Sequence, residues 1–443
     1  MNILNLPRFK VLEVQESDHD YHIVAEHIPV PQCCPNCGVA NPTLKRHGKR
    51  DRLFMDLPIH AKRVGILVRR QRYECKECSS TFIESLPDMD VKRLMTKRLV
   101  AYIERESLKR TFVSIAEQVG IDEGTVRNIF QDYIKRLENE FQFETPEWMG
   151  LDEVKLVGRP RCIITNLKER TVVDLLKSRK KKIVANYLFR LPNRGSVEWV
   201  CMDMWRPYYD AVQSVLPQAR IVIDKFHVVR MANTALDTVR KDTRAGLTPK
   251  QRRTLMHDRF ILLRRGSELK PEQCLILQAW TKNFPLLGIA YDLKEEVFAI
   301  YAAGDRKDAL KRYQEWRAKV PDELEPAFHD MLTALENWEG EIFAYFDAPA
   351  QITNAYTEAM NGIAKMISRV GRGYSFDAIR AKLLFNGRFH VTRPVYRRKW
   401  PRIQETPPVM TRFLLEQPPE EKTELNYGAS IATLIEVFES DEV

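Results

Sequence analysis

The chain has 443 residues, which is too many for one ordinary hydrophobic core and predicts several domains. An apolar share of 44% and a charged share of 29%, with no run of about 18 apolar residues, exclude a disordered chain and argue against a membrane span. The net charge of +10 favours a polyanionic partner, and nucleic acid is the first candidate.

The first predicted element is a metal site made of two Cys-x-x-Cys units. The opening segment, MNILNLPRFK, lacks the apolar stretch of a secretory signal, so we expect an intracellular protein in which paired cysteines hold a metal. Four thiolates suit a closed, structural zinc site, and the segment predicts a zinc ribbon with a strand at residues 64–73. Cys33 is an alternative to the first ligand of the expected set, which is Cys34, Cys37, Cys75 and Cys78.

A helix-turn-helix pattern follows within residues 90–137. Gly120 would lie in the turn, and Asp122 would cap the second helix. The exposed face of that helix would turn three side chains toward a DNA groove: Thr125, Arg127 and Asn128. The alternative is a helical hairpin inside a larger core.

Beyond residue 144 the pattern changes to short apolar strands that alternate with helices. The order βββαβαβα is that of a ribonuclease-H-like mixed sheet flanked by helices. The strands are predicted at 148–155, 161–166, 171–176, 197–203 and 220–227, and the helices at 181–190 and 208–216.

This topology predicts a metal-binding group of carboxylates. Asp152 lies in the first strand and Asp203 at the end of the fourth, and these two strands are neighbours in such a sheet. Two carboxylates this close repel each other unless cations lie between them, and two Mg²⁺ ions suit phosphoryl transfer. Glu358 would supply a third ligand from a helix, with Asn361 and Lys365 near the same face.

Asp224 is an alternative to Asp203 as the second metal ligand. It also ends a predicted strand, although the fourth-strand position favours Asp203. Asp224 and His227 would then support the site or contact DNA. The structural alternatives are a helix cap for Asp203 and a solvent-facing position for Glu358.

Residues 235–345 predict an all-helical insertion before the helix of Glu358. Amphipathic patterns cover 286–301 and 309–320. Trp280, Trp316 and Trp338 are expected in its core rather than as base-stacking groups. Three roles are compatible with this pattern: the insertion could hold DNA ends, contact a second subunit, or only pack as a domain.

Two segments concentrate positive charge. Residues 45–110 carry 18 basic and 9 acidic side chains, and residues 365–402 carry 11 basic side chains against Asp377 alone. The second segment is expected to contact the phosphate backbone, chiefly through Lys365, Arg369 and Arg372. Aromatic side chains are interleaved there: Tyr374, Phe376, Phe389 and Trp400. The alternative for each segment is a solvated surface.

In this order the motifs resemble those of ISL3-family insertion-sequence transposases across nearly the whole chain. They are the zinc ribbon, the helix-turn-helix, Leu-Asp-Glu at 151–153, Asp-Met-Trp at 203–205 followed by Pro-Tyr at 207–208, Asp-Lys-Phe-His-Val at 224–228, and Thr-Glu-Ala-Met-Asn-Gly-Ile-Ala-Lys at 357–365 with Gly-Tyr at 373–374. The resemblance implies a DDE triad of Asp152, Asp203 and Glu358. It also implies transposon-end binding by the N-terminal segment and a multimeric synaptic complex.

We therefore expect a multidomain α+β protein that binds the terminal inverted repeats of an insertion sequence and catalyses metal-dependent end cleavage and strand transfer. Its cofactors would be Mg²⁺ (or Mn²⁺) and structural Zn²⁺. It would act on double-stranded DNA as a homodimer or higher homo-oligomer, in the bacterial cytoplasm at the nucleoid, without a membrane. The expected domains are 1–88 (zinc ribbon), 89–144 (helix-turn-helix), 145–234 with 346–405 (catalytic), 235–345 (insertion) and 406–443 (tail).

Two other functions fit the same motifs. One is a catalytically inactive, sequence-specific DNA-binding regulator derived from a transposase, which would bind DNA without metal-dependent cleavage. The weaker one is a structure-selective nuclease, which would cleave branched and linear ends equally without strand transfer.

Overall fold

The structure, a computed structural model, describes residues 3–387 and 396–398, with side chains described for 3–387 apart from residue 142. Within these residues the N-terminal part is built on a sheet of seven strands in the order β1-β2-β4-β3-β7-β6, with β5 paired to β4. The strands are β1 (Phe9–Glu16), β2 (Asp20–His27), β3 (Leu44–Ile59), β4 (Lys62–Cys75), β5 (Thr81–Ile83), β6 (Met89–Asp90) and β7 (Met95–Thr96).

The strand predicted at 64–73 lies within β4, which pairs along its length with β3. Alternate residues of β4, namely Val64, Ile66 and Val68, are fully buried, as the two-residue period of a strand requires. Two further strands, β1 and β2, were not predicted from the sequence; they extend the ribbon on the side of β4.

The helix-turn-helix is formed by three helices, α1 (Lys97–Glu106), α2 (Phe112–Val119) and α3 (Glu123–Glu140). Gly120 ends α2 with a φ of 74°, a left-handed conformation that glycine adopts without steric cost. Asp122 accepts a hydrogen bond from the backbone N–H of Thr125 and so caps α3. Val119 and Val126 are fully buried between the helices. The predicted turn and cap are confirmed.

A second sheet has the predicted ribonuclease-H-like topology, with strand order β11-β10-β9-β12-β13. The first three strands pair antiparallel, and β12 pairs parallel with both β9 and β13. Its strands are β9 (Trp148–Leu156), β10 (Arg159–Asn166), β11 (Thr171–Leu176), β12 (Trp199–Met202) and β13 (Arg220–Ile223). A short strand before it, β8 (Phe141–Phe143), pairs with β14 (Tyr396–Arg398).

Two predicted strands were too long. The strand expected at 197–203 spans only Trp199–Met202, so Asp203 lies just beyond its end. The strand expected to reach His227 ends at Ile223, where its parallel pairing with Met202 of β12 also ends. Asp224 is the first residue outside the strand, and His227 lies in the first turn of a helix. The helices of this region are α4 (Lys181–Phe189), α5 (Arg206–Val215) and α6 (Lys225–Thr243).

The segment between the sheet and the helix of Glu358 is helical, as predicted. Trp316 is fully buried and donates a hydrogen bond from Nε1 to the carbonyl of Leu293, 2.9 Å away. Trp338 is also buried, and Trp280 is partly buried against the same core, which continues to Met149 and Leu151 of the sheet. The boundary expected at 234/235 falls inside α6. The helices are α7 (Pro249–His257), α8 (Arg259–Leu263), α9 (Pro271–Asn283), α10 (Pro285–Tyr301), α11 (Arg306–Ala318), α12 (Glu325–Asn337) and α13 (Glu339–Phe343).

The other face of the sheet is covered by α14 (Ala355–Val370) and α15 (Phe376–Phe385). Ala364 and Ile379 from these helices share one core with Ile163 of the sheet and Val126 of the helix-turn-helix. The DNA-binding and sheet regions are therefore packed together. No helix in the described part of the chain has the length and apolarity to cross a bilayer.

Candidate active site

The four predicted zinc ligands form one cluster. Their sulfur atoms all lie within 4.8 Å of one another, with 3.8 Å between Cys34 and Cys78 and 3.9 Å between Cys37 and Cys75. Four sulfurs bound tetrahedrally at about 2.3 Å from Zn²⁺ would be about 3.8 Å apart, so the group fits a structural zinc ion. Cys33 is exposed and outside the cluster, which favours Cys34 as the ligand.

The parallel pairing of β9 and β12 brings two of the predicted carboxylates to the same end of the sheet. Cys201 of β12 lies opposite Gly150 of β9. Asp152 lies two residues further along β9, and Asp203 directly follows the end of β12 at Met202. Asp152 is buried, and its burial, followed by the negative charge of Asp203, raises its pKa to about 8. The two acids are therefore electrostatically coupled.

Asp224 and His227 complete the same end of the sheet. Asp224 is fully buried at the start of α6, and its Oδ1 accepts a hydrogen bond from the backbone N–H of Asn354. His227 Nδ1 lies 3.1 Å from Asp203 Oδ1 and 3.7 Å from Asp224 Oδ2. These two contacts raise the pKa of His227 to about 10, and the contact with Asp203 has the larger effect. His227 thus links the two aspartates.

Glu358 reaches this group from the first turn of α14. One ligand atom from each of Glu358, Asp224 and His227 lies within 4.8 Å of the others. Glu358 is partly exposed and its Oε1 lies 3.7 Å from Arg230. Asp152, Asp203 and Glu358 therefore all lie around one end of the sheet. Asp203 lies beside Asp152, whereas Glu358 is grouped with Asp224 and His227 rather than with Asp203.

The donor set fits divalent cations. Asp203 Oδ1 and Asp224 Oδ2 are buried, and the neighbour recorded for both among the residues described is His227 Nδ1, at 3.1 Å and 3.7 Å. Carboxylates crowded beside a buried aspartate repel one another unless positive charge lies between them. The helix-cap alternative for Asp203 does not hold, because α5 has Trp205 at its N-cap and no side-chain cap.

Hydrogen bonds from α14 were missed by the sequence analysis. Asn354 Nδ2 donates to the carbonyl of Leu151 at 3.0 Å, and Asn361 Nδ2 donates to Asp152 Oδ2 at 2.7 Å. Thr357 Oγ1 lies 2.7 Å from Thr165 Oγ1. Asn354 and Asn361 are seven residues apart and so share one helix face, the only signal in the sequence that could have indicated this contact.

The three side chains predicted to face DNA from α3 differ in their surroundings. Thr125 Oγ1 donates to the carboxylate of Asp122, and Arg127 pairs with Glu123 at 2.7 Å. Asn128 is exposed. Arg127 would have to exchange its ion pair for a contact with DNA.

The basic segment after Glu358 divides into two groups. Lys365, Arg369 and Arg372 are exposed, and the structure records no ion pair for them within the described ranges. Arg380 and Lys382, two of the eleven cations counted in the segment, are instead paired within the protein: Arg380 bridges Asp174 and Glu138, and Lys382 is buried and donates to the carbonyls of Ser107 and Arg110. Tyr374 and Phe376 are also buried. Phe389 and Trp400 lie outside the described residues, as does the tail at 406–443.

Comparisons with known families cover three parts of the chain. The zinc-finger of transposases IS204/IS1001/IS1096/IS1165 matches residues 31–78, and the helix-turn-helix domain of transposase family ISL3 matches residues 84–134. The ISL3 DDE transposase domain matches residues 149–383, more than half of the chain. The chain belongs to the ISL3 family of transposases. Its DNA-binding and DDE domains imply an enzyme that acts on DNA with a divalent metal.

A curated relative supports the same assignment. The transposase for insertion sequence element IS1001 of Bordetella parapertussis is 25% identical over 352 residues, which cover 77% of this transposase and 85% of the relative.

Proposed function

We propose that this transposase binds the terminal inverted repeats of an insertion sequence, cuts DNA at those ends and joins the freed 3′ ends to target DNA. One observation supports the proposal: Asp152 and Asp203 lie at the same end of a ribonuclease-H-like sheet, where Glu358 is grouped with Asp224 and His227. Water would attack first, and the freed 3′-OH would attack in the second step. Tyr208 is not required as a nucleophile, and its side chain is buried.

Each residue of the site has a role in this proposal. Asp152, Asp203 and Glu358 hold a pair of Mg²⁺ or Mn²⁺ ions, which when bound would activate the attacking oxygen and stabilise the leaving 3′ oxygen. Asn361 orients Asp152 through its 2.7 Å hydrogen bond. Asp224 is the alternative to Asp203 as second ligand.

DNA binding is assigned to separate surfaces. Thr125, Arg127 and Asn128 on α3 read bases at the element ends, and the zinc ribbon supports this domain. Lys365, Arg369 and Arg372 follow Glu358 on an exposed face and would hold the phosphate backbone beside the acids. The active assembly is a homodimer or higher homo-oligomer that brings two ends together.

The test is cleavage and joining of DNA that carries the element ends, with Mg²⁺ or Mn²⁺. Asp152→Asn should abolish both steps and leave end binding intact, because it removes charge from the metal site and not from the DNA-binding surfaces. Asp322→Asn, an exposed acid of the helical insertion, is the matched control and should act as wild type. Full strand transfer by Asp152→Asn would show that the triad is wrong. Binding without any cleavage by the wild type would favour the inactive regulator.

A further inference from the structure

A cavity of about 470 Å³ opens beside Asp203, between the catalytic sheet and the helical insertion. This volume lies within the range of about 300–1,000 Å³ that is usual for small-molecule sites. Both regions contribute to its walls, the first through Asp203, Trp205 and His227, and the second through Thr333, Asn337 and Trp338. Any group bound there would therefore lie directly next to the carboxylates.

Two indole rings line this cavity. Trp205 keeps 39% of its surface exposed although it is a large apolar side chain two residues from Asp203. The Arg179 guanidinium lies 4.5 Å from the centre of its ring, and Arg206 lies 5.7 Å from the ring of Trp338. Both arginines are also ion-paired, Arg179 with Glu153 and Arg206 with Asp210, so the arrangement offers a base chiefly a flat aromatic surface on which to stack.

The opposite wall carries polar groups without partners. Asp330, Thr333 and Asn337 are exposed and lie at spacings of three and four residues on one face of α12. The described part of the chain supplies none of them with a recorded hydrogen bond or ion pair. A carboxylate, a hydroxyl and an amide together offer donors and acceptors, and the pairing edge of a nucleobase needs both.

We propose that this cavity receives one unpaired nucleobase from the DNA strand next to the scissile phosphate, stacked on Trp205 and hydrogen-bonded by Thr333 and Asn337. The inference rests on the proposed function, because Asp203 belongs both to the acid cluster and to the cavity wall. A strand held at the acids passes the mouth of the cavity, so a base can enter only if its pair is opened. The helical insertion thereby has a role in holding the DNA end.

The test measures whether the contribution of the Trp205 indole to DNA affinity depends on the presence of one particular base. End-containing DNA is prepared with an abasic nucleotide at each position flanking the cleavage site in turn, and affinity is measured with Ca²⁺ in place of Mg²⁺. Loss of one base–indole stack should weaken the binding of native DNA to Trp205→Ala by about 5- to 150-fold. When the abasic nucleotide replaces the base that enters the cavity, Trp205→Ala should cause no further loss of affinity. On native DNA, Trp205→Phe should restore most of the affinity that Trp205→Ala loses.

Two further variants serve as controls. Phe226→Ala removes an exposed aromatic ring next to His227 that does not line the cavity, and it should bind all substrates as wild type does. Asn337→Ala should reduce discrimination between bases at the identified position and leave binding of the abasic DNA unchanged. Equal losses for Trp205→Ala on native DNA and on every abasic DNA would overturn the proposal, as would wild-type affinity throughout.

Different results would refute the base pocket and the proposed function. If the wild-type protein cleaves the same DNA with Mg²⁺ but shows no coupling between Trp205 and any base, only the base pocket is refuted. If coupling is found and no cleavage occurs, the pocket stands and the catalytic proposal falls.

Discussion

Gly150→Ala should separate the catalytic helix from the sheet without touching a carboxylate. A Cβ atom at this position of β9 would lie 2.4 Å from Thr165 Oγ1 and 2.5 Å from Thr357 Oγ1, whereas ordinary contacts begin at 3.4 Å. The shortfall against Thr357 is thus 0.9 Å. Both threonines are buried and β-branched, so rotation would replace the hydroxyl by a methyl group of similar size.

Displacement of Thr357 would also move Glu358, because Glu358 is the next residue of α14. Overpacking of this kind costs about 1–3 kcal/mol of stability. A shift of about 1 Å in a catalytic group costs about 100-fold in rate. We therefore expect Gly150→Ala to bind DNA ends normally and to cleave them about 100-fold more slowly in single-turnover assays at saturating protein.

Gly362→Ala is the matched control on the same helix. A Cβ atom there meets nothing within 4 Å, and alanine favours a helix by about 1 kcal/mol over glycine. Its cleavage rate should equal that of wild type, with an unchanged or higher melting temperature. A folded Gly150→Ala protein that cleaves at the wild-type rate would refute the argument that Thr357 sets the position of Glu358.

The other predictions concern the zinc ribbon and the basic surface. Purified protein should contain one Zn²⁺ per chain by elemental analysis; Cys34→Ser should lose it and melt at lower temperature, whereas the adjacent Cys33→Ser should retain it, and zinc loss in both variants would contradict the ligand assignment. Replacing Lys365, Arg369 and Arg372 together by alanine should weaken binding to all DNA sequences alike and reduce the slope of log K against log salt by about 2.7. A loss confined to the element ends would instead show that these side chains read sequence.

Local motifs in the sequence predicted several parts of the site. The Cys-x-x-Cys units, the Gly120 turn and the Asp122 cap depend on residues close in the chain, and each has a strong chemical preference. Asp152 and Asp203 could be paired because the order of strands specifies which strands are neighbours.

Other features depend on contacts across long separations, which no local pattern reports. Asp224 and His227 read as the end of a strand, although the chain turns into α6 at this point, and their grouping with Glu358 exists only after α14 has packed on the sheet.

A count of positive charges along the sequence does not show which cations are buried. Arg380 and Lys382 count as cations of a basic segment, but tertiary packing places them between the sheet and the helix-turn-helix. Lys382 is buried near Phe112 and Tyr374, and its burial lowers its pKa to about 7. These two side chains join the DNA-binding helices to the catalytic region rather than to phosphate.

The most direct test of the account is to locate Mn²⁺ by anomalous scattering in crystals of the transposase bound to end-containing DNA. The account predicts two ions at the end of the sheet, coordinated by Asp152, Asp203 and Glu358 and by the DNA strand. Ions bound by Asp224 and His227 while Asp203 stays uncoordinated would transfer the second ligand position to Asp224. Ions bound away from Asp152 and Glu358 altogether would contradict the proposed catalytic mechanism.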